Sequence, residues 1–152
     1  MKLNLIKLLL IVLCFIPFIN AQENRHVWKP LIINEKQKIW YDAAQLDSIK
    51  GNEFNIWILQ MYTPPLVFSE IPHKVYRSQT LYAMNLNTVK YGIMEAKYFD
   101  VANDLLYKFN YHIENLSDNL KYTYPILDNP FLKDLLKKMV KIEKERRLRN
   151  AR

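Results

Sequence analysis

Cysteine and glycine are scarce in this chain of 152 residues: Cys14 is the single cysteine, and Gly51 and Gly92 are the two glycines. One cysteine excludes an internal disulfide, so a domain built from this sequence must be held by burial. Two isolated glycines exclude the phosphate-cradling loops of P-loop and dinucleotide-binding proteins. The three histidines, His26, His73 and His112, show no metal-ligand spacing, and cysteine cannot complete a set with them. No serine stands in a nucleophile-elbow context. Asp42, Asp47, Asp100, Asp104 and Asp118 fall at turn signals, where Asx hydrogen bonding is their ordinary role. Folding alone decides whether any two carboxylates meet for acid–base work. The sequence therefore offers no catalytic residue, no cofactor and no metal ligand.

One long hydrophobic run is present, at the N-terminus. Lys2 and Lys7 form a positive start, Leu8 to Ile19 an apolar core, and Pro17 and the small Ala21 its close. This is the pattern of a secretory signal peptide over residues 1–21, with cleavage expected before Gln22. The run is shorter than the roughly 20 apolar residues a spanning helix needs, so no transmembrane span is expected after cleavage. Cys14 follows Leu13 rather than a small residue and lies inside the run, which argues against a lipid anchor. The expected location is outside the cytoplasm: periplasmic, associated with the outer membrane, or secreted.

Charge is unevenly placed. The formal net charge is +7, yet nine basic and three acidic residues lie between Lys133 and Arg152. The rest is a nearly neutral body with a basic tail. An exported chain with its charge in the tail argues for contact with an anionic surface, or a solvated helix end, rather than for nucleic acid. The candidate anionic-surface contacts are Lys137, Lys138, Lys141, Lys144, Arg146, Arg147 and Arg149.

The body reads as strands. Val27 to Ile33 and Lys38 to Asp42 are short candidates, joined through Ala44 and Asp47 to a turn at Lys50-Gly51-Asn52. Phe54 to Tyr62 is almost wholly apolar, as in a strand buried on both faces, and should stop at Thr63-Pro64-Pro65. A loop through Pro72 leads to Lys74–Leu86, which forms a hairpin with Lys90–Phe99 across a turn at Asn85–Thr88. After a turn at Asp100–Asp104, Leu105, Tyr107, Phe109 and Tyr111 alternate with Leu106, Lys108, Asn110 and His112. That period of two predicts a strand with its aromatic side buried. Glu114 to Lys121 is a polar loop, and Tyr122 to Ile126 is either a strand or a packed extended segment. The period then changes. Asn129 is placed to cap a helix, Pro130 to start it, and Leu132, Leu135, Leu136, Met139 and Val140 to face the sheet. Beyond Ile142 the stripe fades into a basic helical tail over residues 143–152. The expected class is α+β: one antiparallel sheet of five to six strands with a C-terminal helix packed on it.

Several marks in order carry a resemblance. They are Trp28, Tyr41-Asp42, Ile49, the turn and strand from Asn52 to Trp57, Lys74-Val75-Tyr76-Arg77-Ser78, Leu81-Tyr82, Lys90-Tyr91, Tyr98-Phe99-Asp100 and Tyr124-Pro125-Ile126. Together they resemble the surface-adhesin protein E family of small exported bacterial proteins, over about Val27 to Val140, within an expected domain of residues 22–142. The resemblance implies the same sheet-and-helix fold and a non-enzymatic binding role, with host matrix or other surface proteins as partners. The resemblance also implies a bridged pair of cysteines where this chain has Leu86 and a residue such as Val140. Apolar packing at those positions would have to replace the bridge.

The aromatic residues are mainly expected to fill the core, Trp57 among them. Trp40 and Tyr41 must point to opposite faces of their strand, so one of the two is a candidate exposed contact. Two further readings stand beside the adhesin: a periplasmic or envelope accessory protein that binds another bacterial protein through a sheet edge, and a small hydrolase.

Overall fold

A computed structural model describes residues 26–47, 49 and 51–150. The expected signal peptide lies outside them. Six strands form a meander: β1 (Trp28–Ile33), β2 (Lys38–Asp42), β3 (Glu53–Phe68), β4 (Ile71–Asn85), β5 (Lys90–Phe99) and β6 (Leu105–Asn110). Each pairs antiparallel with the next, in the order β1 to β6. A two-residue strand, β7 (Tyr124–Pro125), pairs with β5 at Lys90 and Tyr91, beside β6, and makes the sheet seven-stranded. The described residues also form three α-helices: α1 (Ala43–Asp47), α2 (Asp118–Lys121) and the long α3 (Pro130–Asn150). The architecture is the expected α+β sheet with a C-terminal helix packed on it. Among the described residues no helix is long and apolar enough to cross a membrane.

Alternation sorts each strand into two faces. Ile39 and Tyr41 of β2, Ile56 and Ile58 of β3, and Tyr82 and Met84 of β4 share the inner face and are buried. Ile126, Leu132 and Leu135 close over them, with Leu136, Met139 and Ile142 packed at the margin. The helix begins as its sequence dictates. The Asn129 Oδ1 accepts from the Leu132 amide at 3.3 Å, and Pro130 opens the first turn, where its missing N–H costs nothing. Val140 is a correction: it is 70% exposed on the far side of α3. Leu86 does pack against the core, so the two positions do not jointly replace a bridge.

The prolines do not end β3. Met61 faces Arg77 and Leu66 faces Val75, so the Pro64-Pro65 segment bulges out between two paired stretches, and the Thr63–Pro64 peptide is cis. A bulge requires no ladder donor, which is why proline is tolerated there. The strand resumes and turns tightly from Phe68 to Ile71, so the expected loop through Pro72 is strand instead.

The connection from β6 to β7 crosses the outer face. A 3₁₀ turn (Ile113–Asn115) and α2 bring Ile113 and Tyr122 onto Ala83 and Met94. Gly92 lies directly beneath. A Cβ there would run into the backbone carbonyl of Lys121, so only glycine fits this approach. The buried Tyr122 hydroxyl donates to Glu53 Oε2 at 3.1 Å, and Asn85 Nδ2 donates to Glu53 Oε1 at 2.8 Å. Burial and the neighbouring carboxylate push the Tyr122 phenol up to about 12.

Candidate binding surfaces

The inner face is only partly covered. In register, Ser78, Tyr98 and Tyr107 form one row and Thr80, Ala96 and Phe109 the next. Here the rings pack on one another: Tyr107 on Phe109 at 4.5 Å, Tyr98 on Phe109 at 6.0 Å, Phe109 on Tyr111 at 6.3 Å, and Phe68 on Tyr98 at 5.5 Å. The Tyr62 hydroxyl and Ser78 Oγ share a hydrogen bond of 2.8 Å below them. Burial raises the phenols of Tyr62 and Tyr98 above the ordinary tyrosine value. This overturns the expectation for β6. Its aromatic side shares one face but is open: Leu105 is 54% exposed, Tyr107 43% and Tyr111 49%. The physical reason is that α3 packs over the β2–β4 side, with Lys138 reaching β1, and no β6 residue enters the apolar cluster beneath it. The result is an uncharged aromatic stripe ending at the outer edge of β6.

On the opposite face, Asp42 is buried and accepts three hydrogen bonds. They come from His26 Nδ1 at 2.8 Å, the Val27 amide at 3.0 Å and the Ala44 amide at 3.1 Å. The last caps α1. The His26 ring stacks near Trp28 at 4.9 Å and meets the edge of Trp57 at 5.7 Å. His26 is therefore an anchored residue. Its place beside a carboxylate and two indoles ties the start of the domain to β2 and β3. His73 and His112 are exposed. Among the described residues no three of His, Cys, Asp and Glu gather as a metal site would need.

Further along this outer face stand charges. Lys97 lies over the Trp57 ring at 4.8 Å. Glu95 Oε1 bridges Lys97 at 3.1 Å and Lys108 at 3.2 Å. Burial pushes the Glu95 carboxyl up, but the hydrogen bonds of the two ammonium groups outweigh it and hold it below the usual range. Arg77 lies over Phe99 at 4.3 Å.

The aromatic candidates divide cleanly. Trp40 is half-buried on the outer face. Tyr41 is a correction: it is 2% exposed, in the core under α3, with Lys138 Nζ above its ring at 5.3 Å. Trp57 is a second correction, since it is half-buried on the outer face and not in the core. Tail residues are likewise unequal. Lys138 donates to the Pro30 carbonyl at 3.0 Å and Lys137 pairs with Asp134 at 2.7 Å. Lys138 thus clamps α3 to β1 and is not free for an anionic surface. Lys141 and Lys144 are exposed. The side chains of Arg146, Arg147 and Arg149 lie outside the described residues.

The fold is an antiparallel meander with a C-terminal helix, and half of each face of its sheet is left open. No protein-family model, curated protein or solved structure matches the chain.

Proposed function

We propose that this chain is an exported, non-enzymatic binding protein that holds a protein partner against the aromatic stripe at the β6 end of its sheet. The observation that carries this reading is the exposure of Leu105, Tyr107 and Tyr111 beside Phe109. Tyrosine supplies large, rigid contact area with a polar tip, and exposed aromatic clusters of this kind serve as interface anchors. The signal-like N-terminus and the resemblance to surface-adhesin protein E support an extracytoplasmic partner, either a host matrix protein or a protein of the envelope. The direct test is binding of the purified protein to a panel of matrix proteins at high salt. The double variant Tyr107→Ala/Tyr111→Ala should lose at least about tenfold in affinity. Equal binding by both proteins would remove the stripe as the contact.

A second reading rests on the outer edge of β6. Among the described strands it has no partner on that side, and an exposed edge can accept a strand from another exported protein. A bacterial envelope protein that binds wild type and the double variant equally, in fixed stoichiometry, would favour this accessory role.

A further inference from the structure

The outer face carries an unbalanced charge where the Ile113–Asn115 turn and α2 do not cover it. Arg77 on β4, Lys97 on β5 and Lys108 on β6 stand on three successive strands. Lys97 and Lys108 are directly opposite in register, a pairing that like charges disfavour. Glu95 makes it tolerable by placing one carboxylate oxygen between the two ammonium groups. One carboxylate serves two cations, and Arg77 has no ion pair among the described residues. Its Nε is buried without a hydrogen-bond partner, which leaves a donor unfilled beside uncompensated positive charge. Trp40 borders the same face, half-buried, two positions from Asp42 on β2.

We propose that this face binds an acidic polysaccharide, with carboxylate or sulfate groups accepting from Arg77, Lys97 and Lys108 and a sugar ring lying against Trp40. Charge complementarity fixes the sign of the ligand. The position fixes its class. An extended acidic peptide would seek a sheet edge, where backbone groups are free. Arg77 and Lys97 stand on β4 and β5, each paired on both sides, so only side chains face outward there, at the interstrand spacing of about 4.8 Å; of the three cations Lys108 alone lies on the edge strand. Lys97 and Lys108 are opposite each other, and Arg77 stands two positions from Gln79, the β4 partner of Lys97; a guanidinium and two ammonium groups clustered this way suit a polymer with repeated anionic groups. This surface is distinct from the aromatic stripe, so the two stand or fall separately.

The experiment is affinity electrophoresis of the purified protein in gels containing heparin, polygalacturonate, neutral dextran or poly-glutamate. Heparin or polygalacturonate should retard the wild type, and dextran should not. The triple variant Arg77→Gln/Lys97→Gln/Lys108→Gln should weaken binding about tenfold or more. Lys108→Gln alone, at an exposed position that cannot threaten folding, should weaken it about threefold, and Glu95→Gln should strengthen it by a similar factor. Neutralising Lys141, Lys144, Arg146, Arg147 and Arg149 to glutamine should leave binding within about twofold, as should Tyr107→Ala/Tyr111→Ala. Absence of retardation, an unchanged triple variant, loss on neutralising the tail, or equal retardation by poly-glutamate would each overturn the proposal.

Discussion

At Ile56, Tyr82 and Met84 the inner face of the sheet is sealed beneath Leu132 and Leu135 of α3, whereas at Tyr98, Tyr107 and Phe109 the same face of the same sheet meets solvent. The residues differ in kind. Under the helix they are mainly aliphatic, and their only means of leaving water is packing. Beyond the helix they are mainly tyrosine, which keeps a polar tip in water while its ring leans on a neighbour. The outer face repeats the contrast: the Ile113–Tyr122 segment closes over Gly92 and Ala83, while the cations of β4 to β6 stand clear. A sheet with both faces half-covered has a stable half and a presenting half, and substitutions should fall into two groups accordingly.

The largest effect is expected in the sealed half. Leu135→Ala removes a fully buried side chain and should cost about 2–5 kcal/mol by denaturant titration. Tyr107→Ala, on the same face, should cost less than about 1 kcal/mol. Similar losses for the two would show that the aromatic stripe is core. On the outer face Gly92→Ala should cost about 1–3 kcal/mol, because Lys121 is held by its own turn and cannot yield freely. The alkaline limb of stability comes next. Tyr122 titrates near 10 when unfolded and is pushed up to about 12 when folded. Its contribution is complete below pH 10 and is lost as pH rises from about 10 to about 12, since the unfolded chain ionises first. Tyr122→Phe should flatten that fall, in part only, because Tyr62 and Tyr98 are raised as well. A pH profile unchanged by the substitution would refute the Tyr122–Glu53 arrangement. The smallest effect is expected at Val140, where Val140→Ser should change the unfolding free energy by no more than about 0.5 kcal/mol.

Local chemistry was legible in the sequence wherever the deciding interaction is itself local. Lys38–Asp42 and Lys90–Phe99 were read at their observed limits. Asn129 caps α3 as expected, and Asn85 Oδ1 receives the Thr88 amide in the anticipated turn at 3.0 Å. What escaped depends on a third party. The period of two in β6 identifies residues that share a face, but it carries no information on whether another element lies over that face. Alternation told that Trp40 and Tyr41 part company, while the position of α3 decided which one is buried. Pro64 and Pro65 announce a break in hydrogen bonding, yet only the pairing of Leu66 with Val75 shows the strand resuming. The His26–Asp42 contact spans sixteen positions and had no sequence signal, because the β1–β2 pairing creates it. Of the proposed contacts, Trp40 was anticipated as one of two exposed candidates, whereas the open stripe and the grouping of Arg77, Lys97 and Lys108 emerge only from strand register.

The meander order has a consequence for the time course of assembly. Every strand from β2 to β6 pairs with its immediate predecessor, so a chain folding from its N-terminal side can add strands one after another across short, cheap loop closures. The lid over the aliphatic rows, however, follows all the strands along the chain. Until α3 docks, Ile39, Ile56 and Met84 remain a sticky, unprotected sheet, vulnerable to other nascent chains. Nonsense or frameshift changes before Leu132 should therefore yield aggregates rather than a weakened soluble form, and a holding chaperone would matter most in the interval just before the final helix docks.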